Sequence, residues 1–268
     1  MRLVRFVDER GRVQLGAPSG ADRVRPMLSE AAGVRTFADE AVVIRRYLPP
    51  VDPPNIFGIG RNYRGHVAET GARLPEAPLI FQKPTTALSA HGAAIVLPAV
   101  APDEVDYEAE LAIVIGRAAR NVAPAEALHY VAGYTCANDV TARDCQRQDK
   151  QWVRSKGFDT FCPLGPYLVP ADEVDPDRLR IRSRLNGRIM QDANTAEMIH
   201  SGAALVSYLS RQFTLLPDTV ILTGTPDGVG FVRQPPVYLR AGDRIEVEIE
   251  GVGTLVNVVA GPEPSGAA

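Results

Sequence analysis

Cysteine is scarce in this chain. Three residues, Cys136, Cys145 and Cys162, make an odd number with no C-x-x-C pair, which argues against a disulfide framework or a cysteine-built zinc site. They read as the reduced thiols of a cytoplasmic protein. Aromatic residues reach only 6%. No stretch of 18 apolar residues runs free of charge, so no membrane-spanning helix is expected. The opening "MRLVRFVDERGRVQLG" carries charges every few residues and lacks the apolar centre of a secretory signal. Charge of one sign is also missing. The formal net charge of -3 offers no footing for nucleic acid or a membrane surface.

What the chain has is turn-formers. It holds 22 prolines and 23 glycines at 45% hydrophobic content, which favours many short elements over a helical bundle. "RLVRFV" and "RVQLG" read as a hairpin around "DERG". Residues 17–47 are weakly periodic and end at "RRYLPPVDPPN", whose prolines stop any helix or central strand. A boundary is placed there: a small N-terminal domain over 1–50 that packs on the main body over 51–268. Residues 55–60, 78–84, 93–98, 107–116 and 132–141 read as strands, as do "TVILTG" and "DRIEVEIEGVGTLVNVV". Asn186-Gly187 between two strand-like runs is a hairpin signal. Helices are expected at 62–70, from Pro124, and over 197–213, while "ARDCQRQDKQW" suits a helix or a lid. The tail "GPEPSGAA" carries no ordering signal. The fold class is α+β and β-rich.

The stretch "DYEAELAIVIG" places Glu108 and Glu110 on one face of a strand. "DRIEVEIE" repeats that spacing with Glu246, Glu248 and Glu250, and there the polar face stays polar. After Glu110 the same face becomes Ala112 and Val114, so both faces turn apolar. Carboxylates so close to an interior need a counter-ion or a metal. Two acids at i and i+2 suit a hard cation, Mg²⁺ or Mn²⁺ with Ca²⁺ possible, rather than zinc. "CANDVTARD" offers Asp139 as a third ligand. Asp144 competes, although its place at a helix start suits an N-terminal role.

Among four histidines, His129 and His200 fall in apolar helical stretches and suit packing, and His91 falls in a turn. His66 has Glu69 three residues on, a helical neighbour able to orient the ring and raise its basicity. "GIGRNYRG" has Gly58 and Gly60, but its third glycine is Gly65, so the dinucleotide fingerprint fails.

The stretches "IFGIGRNYRGHVAE", "PLIFQKPTTAL", "DYEAELAIVIG", "YTCANDVTARD", "SKGFDTFCPLGPYLV", "LNGRIMQDANTAEMI" and "ILTGTPDGVG" together resemble the fumarylacetoacetate hydrolase family, in family order over roughly residues 51–260. The resemblance implies a mixed β-roll of that family's C-terminal type, a homodimer, and one divalent metal per subunit on Glu108, Glu110 and Asp139. It implies His66 and Glu69 as a water-activating dyad and Lys156 as the group polarising a substrate carbonyl. Thr225 matches a substrate-carboxylate contact, and Arg143 and Gln146 match substrate contacts on a lid. Asn62 and Lys83 sit in matching motifs as substrate-binding positions. One departure is Gly157, where relatives often carry serine, which could loosen the backbone beside Lys156. The implied activity is cleavage of a C–C bond in a β-diketo acid of acylpyruvate or fumarylpyruvate type, through a metal-bound enolate. Isomerases such as 2-hydroxyhepta-2,4-diene-1,7-dioate isomerase, and decarboxylases or lyases of related 2-oxo acids, share that chemistry and stay open.

Overall fold

Short β-branched runs broken by turns build the N-terminal strands. The structure, a computed structural model, describes residues 1–31 and 33–262. The tail expected to be disordered lies outside the described residues from position 263 on. β1 (Val4–Asp8) and β2 (Val13–Pro18) form the expected hairpin, with Val7 opposite Val13. Residues 17–47 are more regular than their weak periodicity predicts. They hold β3 (Arg23–Ala31), β4 (Val34–Phe37) and β5 (Val42–Tyr47). β2 pairs with β3, β3 with β5 and β5 with β1, so four strands close into a ring, which removes their free edges. Inside it Val4, Phe6 and Val24 pack with Tyr167 from the rest of the chain. Leu3 and Leu168 exchange backbone hydrogen bonds of 2.9 and 2.8 Å.

The later strands, in chain order, are β6 (Ile56–Gly60), β7 (Leu79–Lys83), β8 (Leu88–Ala90), β9 (Ala94–Val96), β10 (Val105–Asp106), β11 (Ala109–Ile115), β12 (Val131–Asn138), β13 (Thr141–Ala142), β14 (Cys162–Pro170), β15 (Arg180–Leu185), β16 (Arg188–Asn194), β17 (Val220–Leu222), β18 (Arg244–Ile249) and β19 (Gly253–Ala260). Seven form a mixed sheet in the order β7-β6-β17-β11-β12-β14-β8, and five form a second sheet, β16-β15-β18-β19-β9. Four helices, α1 (Arg64–Glu69), α2 (Arg143–Gln148), α3 (Val153–Lys156) and α4 (Gly202–Gln212), complete a β-rich α+β fold. Among the described residues no helix is long and apolar enough to cross a membrane.

The middle strand β11 is buried on both faces. Leu111, Ile113 and Ile115 pack with Ile181, Val247, Ile249 and Leu255 of the second sheet. Ala112 and Val114 pack on the other side with Ala137, Leu164 and Leu222. The comparison strand β18 differs as expected. Its Glu246 and Glu248 stand opposite Arg184 and Arg182 of β15, a charged ladder on a half-exposed face. Asn186 and Gly187 turn the β15–β16 hairpin with φ of 51° and 81°, as an Asn-Gly turn requires.

Several boundaries move. The strand expected over 107–116 starts later, at Ala109, because a break after Asp106 separates β11 from β10. The helix expected from Pro124 is a 3-10 turn, Pro124–Tyr130. At three residues per turn, Glu126 and His129 share an outward face and pair there at 2.9 Å, so His129 is not packed. The helix expected from 197 begins only at Gly202. Asn194 and Glu197 first cap a separate 3-10 turn, and Ser201 then caps α4. His200 precedes that cap, outside the helix.

Candidate metal centre and active site

Strand register assembles the acids. Ala109 of β11 stands opposite Asn138 of β12. The Asn138 side chain accepts from the Glu108 N–H at 3.0 Å, and the Asp139 N–H donates to the Glu108 carbonyl at 2.9 Å. Glu108, Glu110 and Asp139 are all buried, and an oxygen of each lies within 4.8 Å of the others.

Two buried lysines offset part of that charge. The Lys156 ammonium donates to Glu108 at 2.9 Å, to Asp139, and to the Thr141 hydroxyl at 2.9 Å. Lys83 pairs with Asp139. Burial pushes the Glu108 carboxyl up, but Lys156 and Arg143 outweigh it and bring the group down to about 2. Burial would lower Lys156, and the carboxylates of Asp139 and Glu108 raise it instead. Glu110 is the exception. Its only direct partner among the described residues is the Gly224 N–H at 2.6 Å. Burial, and then the neighbouring Asp139 and Glu108, push it well above the usual carboxylate range. An all-oxygen set with one carboxylate lacking a cation fits a hard divalent ion such as Mg²⁺, Mn²⁺ or Ca²⁺.

α1 carries the dyad. His66 Nδ1 lies 2.7 Å from Glu69 Oε1, and Glu69 Oε2 accepts from the Gly228 N–H at 2.8 Å. The ionised carboxylate only accepts, so Nδ1 carries the hydrogen and Nε2 is left as the acceptor. A cavity of about 460 Å³ is walled by His66, Glu108, Glu110, Arg143, Lys156 and Thr225, with Gln146 contributed by α2. α2 is anchored from below. Arg143 Nε donates to Asp106 Oδ2 at 2.9 Å, and Asp106 also accepts from the N–H groups of Gly230 and Phe231. Arg143 Nη2 lies 2.7 Å from Glu108, close enough for an ion pair but without hydrogen-bond alignment. The competitor Asp144 accepts from the Cys145 N–H in the first turn of α2.

Two expected substrate contacts are not on the cavity wall. Asn62 is fully buried, donates to the carbonyls of His200 and Thr223 at 3.0 and 2.7 Å, and accepts from the His200 N–H at 2.9 Å. Lys83 is equally buried and faces Asp139. Both support the site from behind. Lys156 does face the cavity, but its three N–H bonds are engaged, so contact with a carbonyl requires one to be released. The Thr225 hydroxyl is similarly occupied, donating to the Ala109 carbonyl at 3.0 Å and accepting from Gln191 at 2.7 Å. Among the described residues its backbone N–H has no partner. At Gly157 a Cβ would lie 2.4 Å from the Val153 carbonyl and 2.7 Å from Pro84, so the glycine is held by close packing rather than loosened.

Sequence reasoning missed Asp106, Gln191, Phe81 and Trp152. Gln191 is buried and joins β16 to the Ala109 N–H at 3.0 Å as well as to Thr225. The two rings explain the rejected dinucleotide-like glycines. A Cβ at Gly58 would lie 2.1 Å from the Phe81 ring, and one at Gly60 would lie 2.5 Å from Trp152. These glycines let two aromatic rings lie on strand β6 as a cavity wall.

The comparisons agree with this architecture. The family described as "Fumarylacetoacetate (FAA) hydrolase C-terminal" matches residues 55–260. A mitochondrial oxaloacetate tautomerase of Rattus norvegicus is 44% identical over 216 residues, covering 80% of this chain and 69% of that one. A 2-hydroxyhepta-2,4-diene-1,7-dioate isomerase structure from Mycobacterium marinum superposes with a TM-score of 0.85 at 39% identity, covering 98% of this chain and 100% of its own. A fumarylacetoacetate hydrolase structure from psychrophilic Exiguobacterium antarcticum gives 0.85 at 34% identity, with coverages of 97% and 99%. The chain therefore belongs to the fumarylacetoacetate hydrolase family of enzymes.

Proposed function

We propose that this chain moves a proton at the carbon beside the keto group of a small 2-oxo acid, as a keto–enol tautomerase or isomerase. The observation that carries the reading is that His66, paired with Glu69, shares one cavity wall with Glu108 and Glu110, two of the three clustered acids. Relatives named as an oxaloacetate tautomerase and a diene-dioate isomerase support this choice over bond cleavage.

Glu108, Glu110 and Asp139 would hold the divalent cation, which when bound supplies Lewis-acid polarisation of a carbonyl. The Thr225 N–H binds a substrate carboxylate. His66 Nε2 takes the proton from carbon, while Glu69 holds the ring and stabilises the imidazolium. The ammonium of Lys156 contributes positive charge beside the oxygen that becomes negative. His66 then returns the proton to the keto oxygen in a tautomerase, or to the far carbon of the conjugated enolate in an isomerase.

C–C hydrolysis of an acylpyruvate or fumarylpyruvate is the second reading. Its support is that Glu69 is fixed on both sides, by His66 and by Gly228, as a dyad that deprotonates water requires. Purified protein with Mg²⁺ or Mn²⁺ separates the two. Accelerated decay of enol-oxaloacetate, lost in His66→Ala, is the expected result. Pyruvate release from acetylpyruvate or fumarylpyruvate without enol decay favours hydrolysis. Inertness towards all three substrates, with metal bound, overturns both. A homodimer is proposed alongside, on the family resemblance, and sedimentation equilibrium tests it.

A further inference from the structure

Among the described residues, six non-glycine residues have a left-handed backbone: Asp22, Arg61, Asn121, Thr160, Asn186 and Asp218. Four are Asp or Asn, which tolerate that region readily. Thr160 has a local reason, since its hydroxyl accepts from the Val96 N–H at 2.9 Å and its carbonyl from Ser89. Arg61, at φ 59°, has none of its own. Its guanidinium makes no hydrogen bond or ion pair among the described residues, although it lines the active-site cavity.

The strain is imposed from the next residue. Asn62 spends its side chain on backbone groups of His200 and Thr223. A Cβ at Gly224 would lie only 2.7 Å from that of Asn62 and 3.2 Å from the Ile59 carbonyl, so the two loops are pressed together. This clamp holds the turn between β6 and α1 in one conformation and carries Arg61 to the cavity rim. A glycine would adopt the same backbone without penalty, so an arginine there points to its side chain.

The surrounding charges indicate what that side chain meets. Arg143 and Lys156, the other permanent cations on the wall, are spent on Asp106, Glu108 and Asp139. Among the described residues Arg61 is the one on this wall without such a partner. Arg61 is exposed at the rim, and beside it stand Phe81 and Trp152, with ring centroids 5.6 Å apart.

We propose that Arg61 is a specificity-determining residue that binds a second carboxylate, at the far end of a 2-oxo dicarboxylate whose oxo-acid end lies at the acid cluster. This rests on the 2-oxo acid reading and adds the residue that meets the second carboxylate of a substrate such as oxaloacetate. The test uses the Mg²⁺-loaded full chain and two non-reacting probes of equal chain length, 2-oxoglutarate and 2-oxovalerate. Only the first carries a distal carboxylate. Trp152 is the sole tryptophan and lies on the wall, so its fluorescence reports binding without turnover. Wild type is expected to bind 2-oxoglutarate the more tightly. Arg61→Gln should weaken 2-oxoglutarate by roughly tenfold or more, the scale of a hydrogen bond to a charged group, and leave 2-oxovalerate unchanged. Arg61→Lys should restore part of the loss. Equal weakening of both probes, or of neither, overturns the proposal alone. Failure of both probes to bind wild type overturns the 2-oxo acid reading and the proposal with it.

Discussion

Glu110 is the carboxylate that suffers most when no cation is held. It is buried, it lies close to two other acids, and among the described residues one backbone N–H is its only direct partner. Glu110→Gln keeps an oxygen for the Gly224 N–H and removes the repulsion. In metal-free protein the change should raise Tm by a few degrees, since about 1 kcal/mol shifts Tm by about 2–4 °C at this size. Calorimetric titration with Mn²⁺ should meanwhile show binding lost. A lower Tm without metal would mean that the carboxylate is satisfied in some other way. At this scale the sequence was legible where chemistry is local. Glu108 and Glu110 stand out because an apolar strand continues past them, and His66 and Glu69 because one helical turn joins them. Lys83, Gln191 and Arg61 were not legible as supports or readers. Lys83 meets Asp139 across 56 residues and Gln191 meets Thr225 across 34, separations that no local pattern records.

α2 shows how an element can be held by one buried pair and merely decorated by another. Arg143 reaches buried Asp106, whereas Arg147 pairs with Glu104 in the open at 2.7 Å. Arg143→Met leaves Asp106 and Glu108 without that partner and should cost about 3–5 kcal/mol in urea unfolding. Arg147→Ala should cost less than about 1 kcal/mol. Comparable losses would show that α2 is not anchored through Asp106. The β1–β2 hairpin has its own titrating fastener in Asp8. Burial pushes its carboxyl up, but the N–H groups of Arg12 and Arg10 and the Arg12 guanidinium outweigh that and hold it below 3.8. As pH falls, the unfolded chain takes up this proton first. The contribution is therefore full above the ordinary value and lost as pH falls through the folded one. Asp8→Asn should lower Tm at neutral pH and match wild type in strong acid; an equal deficit at both would exclude the charge as the cause. Strands and the Asn186-Gly187 turn were read from local pattern. The 3-10 turns at 124–130 and 195–197 were not, because pairings and caps set by distant contacts decide where a helix may start.

For the whole molecule, the position of the acids matters more than their number. Glu110 sits on β11, Glu108 just before it and Asp139 just after β12, in the middle of the seven-stranded sheet and on the wall between two clusters of the core. Metal binding should therefore stabilise the whole domain. At a hundredfold excess over Kd it adds about 2.7 kcal/mol, and chelation should lower Tm with the transition still single and the urea slope unchanged. A second, separate transition on chelation would mean that the centre stabilises only its own neighbourhood. The seven-stranded sheet also has a consequence for descent. Its middle strands and their ends carry the clustered acids, where nearly any replacement disturbs both faces of the core. Arg61, Gln146 and Trp152 stand on the turn after β6 and on the short segments between β13 and α3, where replacements disturb little. Lineages of this fold can thus exchange the molecule they recognise while inheriting the reactive centre unaltered.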